Sequence, residues 1–188
     1  MFKRILLKKT IATLALCSIG ALVQAAGFEL SSPTIKPEST LTMDQVFNGF
    51  GCTGKNISPE LVWKNAPAGT KGYALTVYDP DAPTGSGWWH WVVYNIPVSA
   101  TKIDAGAGTA DGKKLPAGSQ QGRTDFGAAG FGGACPPVGD KPHRYIFTLH
   151  ALKTEKLDIP EGATAALIGY MINANLIEKT SFTAYYGR

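Results

Sequence analysis

The sequence is poor in the residues that build metal and redox centres. Its 188 residues include three cysteines and three histidines. No cysteines stand as C-x-x-C and no histidines form a close-spaced pair, which argues against a zinc ribbon, a thioredoxin-type site or a zinc centre. A convergence of His90, His143 and an aspartate is the one arrangement that leaves zinc open. There is no G-x-S-x-G, so a nucleophile elbow is unsupported. H-E-x-x-H and an EF-hand loop are also absent. Asp125-Phe126-Gly127 matches the kinase magnesium motif in letters only, because the Gly-rich loop, strand lysine and catalytic loop are missing. No apolar run reaches the roughly 20 residues of a comfortable membrane span.

A surplus of charge is lacking too. Four of the 18 basic residues (Lys3, Arg4, Lys8, Lys9) precede position 10, and the first of the 14 acids is Glu29. The rest of the chain is balanced, which excludes a basic nucleic-acid binder that works by counterion displacement. There is no internal repeat, charge block or low-complexity linker. The length suits one domain with a sizeable core.

The N-terminus has the pattern of a secretory signal. Met1–Thr10 is basic, Ile11–Val23 is apolar, and Val23-Gln24-Ala25 places small residues before a cleavage predicted after Ala25. An uncleaved anchor is the alternative. Lipidation at Cys17 is disfavoured by the bulk of Leu16 and by the shortened apolar run it would leave. The expected location is periplasmic or secreted, without a stable membrane anchor. Export leaves Cys52 and Cys135 in an oxidising compartment, and their even count predicts a Cys52–Cys135 disulfide. Two free buried thiols are the other reading.

The remainder, residues 26–188, reads as one mainly β domain. Short β-rich segments are separated by Gly/Pro clusters, as in a sandwich or barrel. Strands are predicted over Tyr73–Tyr78, Trp88–Ile96, Arg144–Leu152 and Phe182–Tyr186. Alternation puts Trp88 and His90 on one face and Trp89 and Trp91 on the other. One segment has helical period. Ala166, Leu167, Tyr170, Met171, Ala174 and Ile177 would form its buried face, with Pro160 and Glu161 at the start and Lys179 in the last turn. Ala105–Gly112 and Gly118–Gly133 are glycine-rich connections, the second long enough to be functional or mobile.

Three segments carry chemistry. Asp79-Pro80-Asp81-Ala82-Pro83 holds two acids on a stiff turn, a candidate for a cis proline. The same spacing also fits an ordinary Asx-Pro turn. A hairpin would bring these acids toward Trp88 and His90, although a histidine among tryptophans is equally a core residue. Phe131–Gly139 is rich in glycine, which lets backbone N–H groups approach a ligand. It leads into His143 and Tyr145, which share a strand face and can donate to an anion. His150 lies on the opposite face and reads as structural.

Together these segments resemble the phosphatidylethanolamine-binding protein family, which includes the Raf kinase inhibitor proteins. The matching stretches are YALTVYDPDAPTGSGWWHWVVYNIP (Tyr73–Pro97) and FGGACPPVGDKPHRYIFTLHAL (Phe131–Leu152). Asn56-Ile57-Ser58-Pro59 with Trp63, and GRTDFG at Gly122–Gly127, are similar to the exported bacterial branch. The resemblance implies a large antiparallel sheet packed on a smaller one, with few short helices. It also implies a small pocket for phosphate-like anions or phosphorylated head groups. Carried over by motif, that pocket includes Asp79, Asp81, His90, His143 and Tyr145, with backbone near Cys135 and Pro136 and with Pro83 and Trp88 at its mouth. Cys135 replaces the glycine of eukaryotic members. Those members also carry a C-terminal helix beside the pocket, whereas this sequence ends at Arg188, which implies a more open pocket or one covered by a second subunit.

The expected function is therefore an exported, non-enzymatic binding protein for a small anionic or phosphorylated ligand. It would need no cofactor or nucleic acid. Family resemblance adds modulation of a protein partner such as a kinase or protease, and a homodimer. A hydrolase using Asp/His acid–base chemistry on a phosphoester or ester is one alternative. An interaction module with a vestigial pocket is another.

Overall fold

A computed structural model describes residues 27–188. The proposed signal, its cleavage site and Cys17 lie outside the described residues. The elements in chain order are β1 (Glu29–Ser31), β2 (Asn48–Gly49), β3 (Cys52–Thr53), β4 (Leu61–Lys64), β5 (Gly72–Asp79), β6 (Trp88–Pro97), β7 (Lys102–Ile103), β8 (Gln120–Gln121), β9 (His143–Leu152), α1 (Ala165–Ala174) and β10 (Leu176–Tyr186). Five of these strands form one antiparallel sheet in the order β10-β9-β5-β6-β8. A smaller sheet runs β1-β4-β7, and β2 pairs with β3 as a ribbon. The mainly β sandwich expected from the sequence is the fold observed. No helix among the described residues is long and apolar enough to cross a membrane.

Strand β5 is central, and the alternation of its sequence divides two cores. Tyr73, Leu75 and Val77 point toward the small sheet and join Leu30, Leu61, Trp63, Ile103, Phe147 and Leu149. Ala74 points the other way, into a cluster with Val92, Leu152, Leu157, Ile168 and Ile172 beneath α1. Burying both faces of a strand needs apolar or small residues, which β5 supplies from Gly72 to Val77.

Two expectations are corrected here. The predicted helix exists but is shorter and turned. It begins at Ala165, capped by the Thr164 side chain, which accepts from Leu167 N–H. Its buried face is Ala165, Ile168 and Ile172, while Leu167 and Tyr170 are exposed. The chain leaves the helix at Asn175, so Ile177 and Lys179 belong to β10. The second correction concerns β6. Val77 pairs with Trp91 but Tyr78 pairs with Trp89, so His90 is an extra residue, a β-bulge. The bulge breaks the alternation. Trp91 enters the inter-sheet core against Phe131, whereas Trp89 packs on Tyr78 and the helix-side cluster.

Cys52, which opens β3, is joined to Cys135 in the loop before β9, 83 positions away. On the chain-entropy account, closing such a loop stabilises the fold by roughly 4–5 kcal/mol.

Candidate functional site

The end of β5 and the starts of β6 and β9 meet at one end of the large sheet, because β5 runs antiparallel to both neighbours. This places Asp79 opposite Trp88, and brings His90, His143 and Tyr145 to the same end. They enclose a cavity of about 190 Å³.

Asp79 is almost fully buried and divides its carboxylate. Oδ1 accepts from the N–H groups of Asp81 (2.8 Å) and Ala82 (3.1 Å), which makes the Asp-Pro turn. Oδ2 accepts from His143 Nδ1 at 2.8 Å and lies 4.0 Å from His90 Nε2. One oxygen of this aspartate thus makes the turn, and the other faces the two histidines. All peptide bonds among the described residues are trans, so the turn holds no cis proline.

His90 is buried, and its Nδ1 donates to Gly132 O at 2.7 Å. That bond leaves Nε2 as the free ring nitrogen, an acceptor in the neutral imidazole. Burial pushes its pKa below the ordinary 6.5, opposed by the Gly132 hydrogen bond and the nearby Asp79 charge. Tyr145 stands edge-on to His90 at 5.0 Å. Its hydroxyl is buried and has no hydrogen-bond partner among the described residues. Burial, reinforced by the Asp79 charge, raises its pKa far above the ordinary phenol value. His143 also reaches Asp140 through Nε2 at 3.4 Å.

Of the residues expected from the sequence, Asp79, Pro83, Trp88, His90, Cys135, Pro136, His143 and Tyr145 line this cavity. Asp81 does not. Its carboxylate turns to Arg144, accepting from Nε (2.9 Å), Nη2 (2.6 Å) and the backbone N–H (2.9 Å). These bonds lower its pKa to about 2. It lines a neighbouring polar cleft with Lys141 and Tyr185, and His143 borders both spaces. Among the described residues, no three His, Cys, Asp or Glu side chains form a metal-ligand group.

The glycine-rich segment is anchored closely to the elements around it. Gly132 N–H donates to His90 O, Gly133 N–H to Asn56 Oδ1 and Ala134 N–H to Gln45 O. The glycines are there for space. A Cβ on Gly132 would strike the Phe126 ring, and one on Gly133 would strike the Gln45 carbonyl. Asn56 fixes the segment from the other side, because its Nδ2 donates to Phe131 O at 3.1 Å.

Sequence reasoning missed Phe50, Ala82, Thr84, Phe126 and Pro137 in the lining. Phe126 lies edge-on to both Trp88 (5.5 Å) and His90 (5.3 Å). The GRTDFG match was its available signal, and next to it Asp125 accepts from Trp89 N–H at 2.7 Å. The site thus pairs a polar floor with an aromatic wall, an arrangement suited to binding a small polar group with an apolar attachment.

Comparison with known proteins assigns the family. The sequence model of the family described as phosphatidylethanolamine-binding protein matches residues 31–187. UPF0098 protein YbcL of Escherichia coli (strain K12) is 54% identical over 180 residues, covering 96% of this chain and 98% of the relative. UPF0098 protein YbhB of the same organism is 47% identical over 158 residues, covering 84% and 99%. The crystal structure of E. coli YbcL, described as a new member of the mammalian PEBP family, superimposes with a TM-score of 0.85 at 56% identity, covering 87% of this chain and 99% of that one. With its fold, its motifs and nearly its whole described length in agreement, the chain belongs to the phosphatidylethanolamine-binding protein family.

Proposed function

We propose that this chain is an exported, non-enzymatic binding protein whose pocket takes a small oxyanion or phosphorylated head group. The observation that carries the reading is Tyr145, a residue of the cavity lining whose hydroxyl is buried and has no partner among the described residues. A buried hydroxyl is costly unless it is hydrogen-bonded. An anionic oxygen beside it would accept that bond. Protonated His90 would offer a second donor at Nε2, with Asp79 Oδ2 at 4.0 Å favouring the charged ring.

The available nucleophiles favour binding over catalysis. Cys135 is bonded to Cys52, and the Thr84 hydroxyl donates to Gly87 O at 2.6 Å. The Tyr145 phenol holds its proton too firmly to act as an oxyanion. Export is supported by the N-terminal pattern and by the Cys52–Cys135 pairing.

The test is calorimetric titration of the purified protein with inorganic phosphate and phosphoethanolamine, beside a His90→Ala variant of matched stability. Saturable binding that the variant loses is the expected result. No binding of either anion at millimolar concentration would move the function to protein interaction. Turnover of a phosphoester or ester that His90→Ala abolishes would make the protein a hydrolase.

A further inference from the structure

The turn Gly49-Phe50-Gly51 joins β2 to β3 with φ angles of 151°, 52° and 80°. Glycine adopts this left-handed region freely, but a phenylalanine there is strained. Core packing does not explain the residue, because Phe50 is 67% exposed. Its ring stands instead in the wall of the pocket, nearly parallel to Phe126 (12°, centroids 5.9 Å apart) and 5.5 Å from Phe47. Strained backbone of this kind persists where the surroundings over-determine it.

Two devices do so here. Cys52, one residue beyond the turn, is bonded to Cys135. Arg188 then ties the same two loops through its guanidinium. Nε donates to Pro136 O (2.6 Å), Nη1 to Gly51 O (3.0 Å) and Nη2 to Phe50 O (3.3 Å). Its own carbonyl accepts from Gly139 N–H at 3.1 Å. The rigid planar fork of arginine suits three carbonyls drawn from two loops, a spread that a lysine ammonium does not match.

We propose that Phe50 is a specificity-determining wall of the pocket, selecting ligands whose anionic head carries a flat apolar body, and that Arg188 is the positioning residue that holds its ring in place. The proposal rests on the anion-binding reading above. His90 and Tyr145 would meet any anion alike, whereas the exposed Phe50 ring meets only what is attached to it.

The experiment compares inorganic phosphate, which occupies the floor alone, with phenyl phosphate, which reaches floor and wall. Both are titrated into the purified protein and into Phe50→Asn and Arg188→Gln variants. Asparagine tolerates the left-handed backbone, so the first variant removes the ring and keeps the turn. Wild type is expected to prefer phenyl phosphate about fivefold, the scale of one aromatic stack. Both variants should lose that preference, the affinity for phenyl phosphate falling about fivefold further than that for phosphate. Equal losses for the two probes, or an undiminished preference, would overturn the proposal. Nuclear Overhauser contacts between the Phe50 and Phe126 rings give a readout without ligand. They should be present in wild type and lost in Arg188→Gln, and their survival there would refute the positioning role. Failure of wild type to bind either probe would instead refute the anion-binding reading, and the wall would fall with it. Binding without preference would refute the wall alone.

Discussion

Tyr145 and His90 sit side by side under the pocket, yet their free energies run in opposite directions. When no ligand is bound the Tyr145 hydroxyl is a cost, because it is buried and unpartnered among the described residues. Tyr145→Phe should therefore leave the urea midpoint unchanged or raise it, by up to about 1 kcal/mol in stability. The same variant should weaken anion binding by roughly tenfold, the worth of a hydrogen bond to a charged group. Destabilisation with unchanged affinity would show that the hydroxyl is bonded internally. His90 governs the pH dependence. Burial holds its pKa below 6.5 when no anion is bound, so the ring is mainly neutral at pH 7. An anion beside it raises that pKa, and between the two values binding takes up a proton. Affinity should then rise as pH falls, by at most about tenfold per unit for one proton. Asp79 and Asp125 favour the charged ring. Sulfate, whose charge is constant between about pH 5 and 8, is the suitable probe for calorimetry. His90→Gln should flatten the profile, and a flat wild-type profile would sink the idea.

At the level of elements, α1 separates what a pattern specifies from what packing decides. Nearly every residue from Ala165 to Ala174 is apolar or small, so the period identifies a helix but not its inner face. The cluster under β5 and β6 selects Ile168 and Ile172. Ile168→Ala should cost about 3 kcal/mol in denaturant unfolding, whereas Leu167→Ala should stay within about 0.5 kcal/mol. The reverse order would restore the face expected from sequence. Strands β5, β6 and β9 were legible because each is long, alternates and ends at a turn signal. Strands β1, β4 and β7 are two to four residues long and exist through their pairing, so no local pattern announces them. The bulge at His90 was equally invisible, because it is a relation between two strands. For the site, D-P-D-A-P, W-x-H and H-R-Y lie at the ends of legible strands and located most of the lining. Phe50 and Arg188 escaped, because they meet across 138 positions of sequence and belong to no motif. Asp81 was misplaced for a related reason: its partner, Arg144, comes from β9.

The whole molecule should weaken in mild acid and depend on a long covalent closure. His150 is buried, with Nε2 3.1 Å from Thr76 Oγ1, and burial lowers its pKa from 6.5 to about 4, aided by the Lys179 charge. Above pH 6.5 the folded and unfolded chains bind the same number of protons at this site. Between 6.5 and 4 the unfolded chain takes up a proton that the folded one refuses, so stability falls by about 3 kcal/mol. His90 acts in the same direction. The loss at Asp81, whose pKa is held near 2, falls below its ordinary 3.8 and so lies in a separate window. His150→Gln should shrink the decline of the urea midpoint between about pH 6.5 and 4, and an unchanged decline would assign it elsewhere. The Cys52–Cys135 closure is independent of pH in this range and depends on compartment. Chain made in bacteria from the full sequence should be recovered outside the cytoplasm beginning at Ala26. It should resist alkylation and weigh about two hydrogens less than its reduced form. Chain made without residues 1–25, and so kept in the reducing cytosol, should alkylate at both cysteines. It should also unfold at lower urea, by up to roughly 4–5 kcal/mol on the loop-entropy account. Alkylation of both thiols in the exported protein would refute the bridge. Recovery of an uncleaved, membrane-bound chain would refute the signal instead and leave the bridge standing.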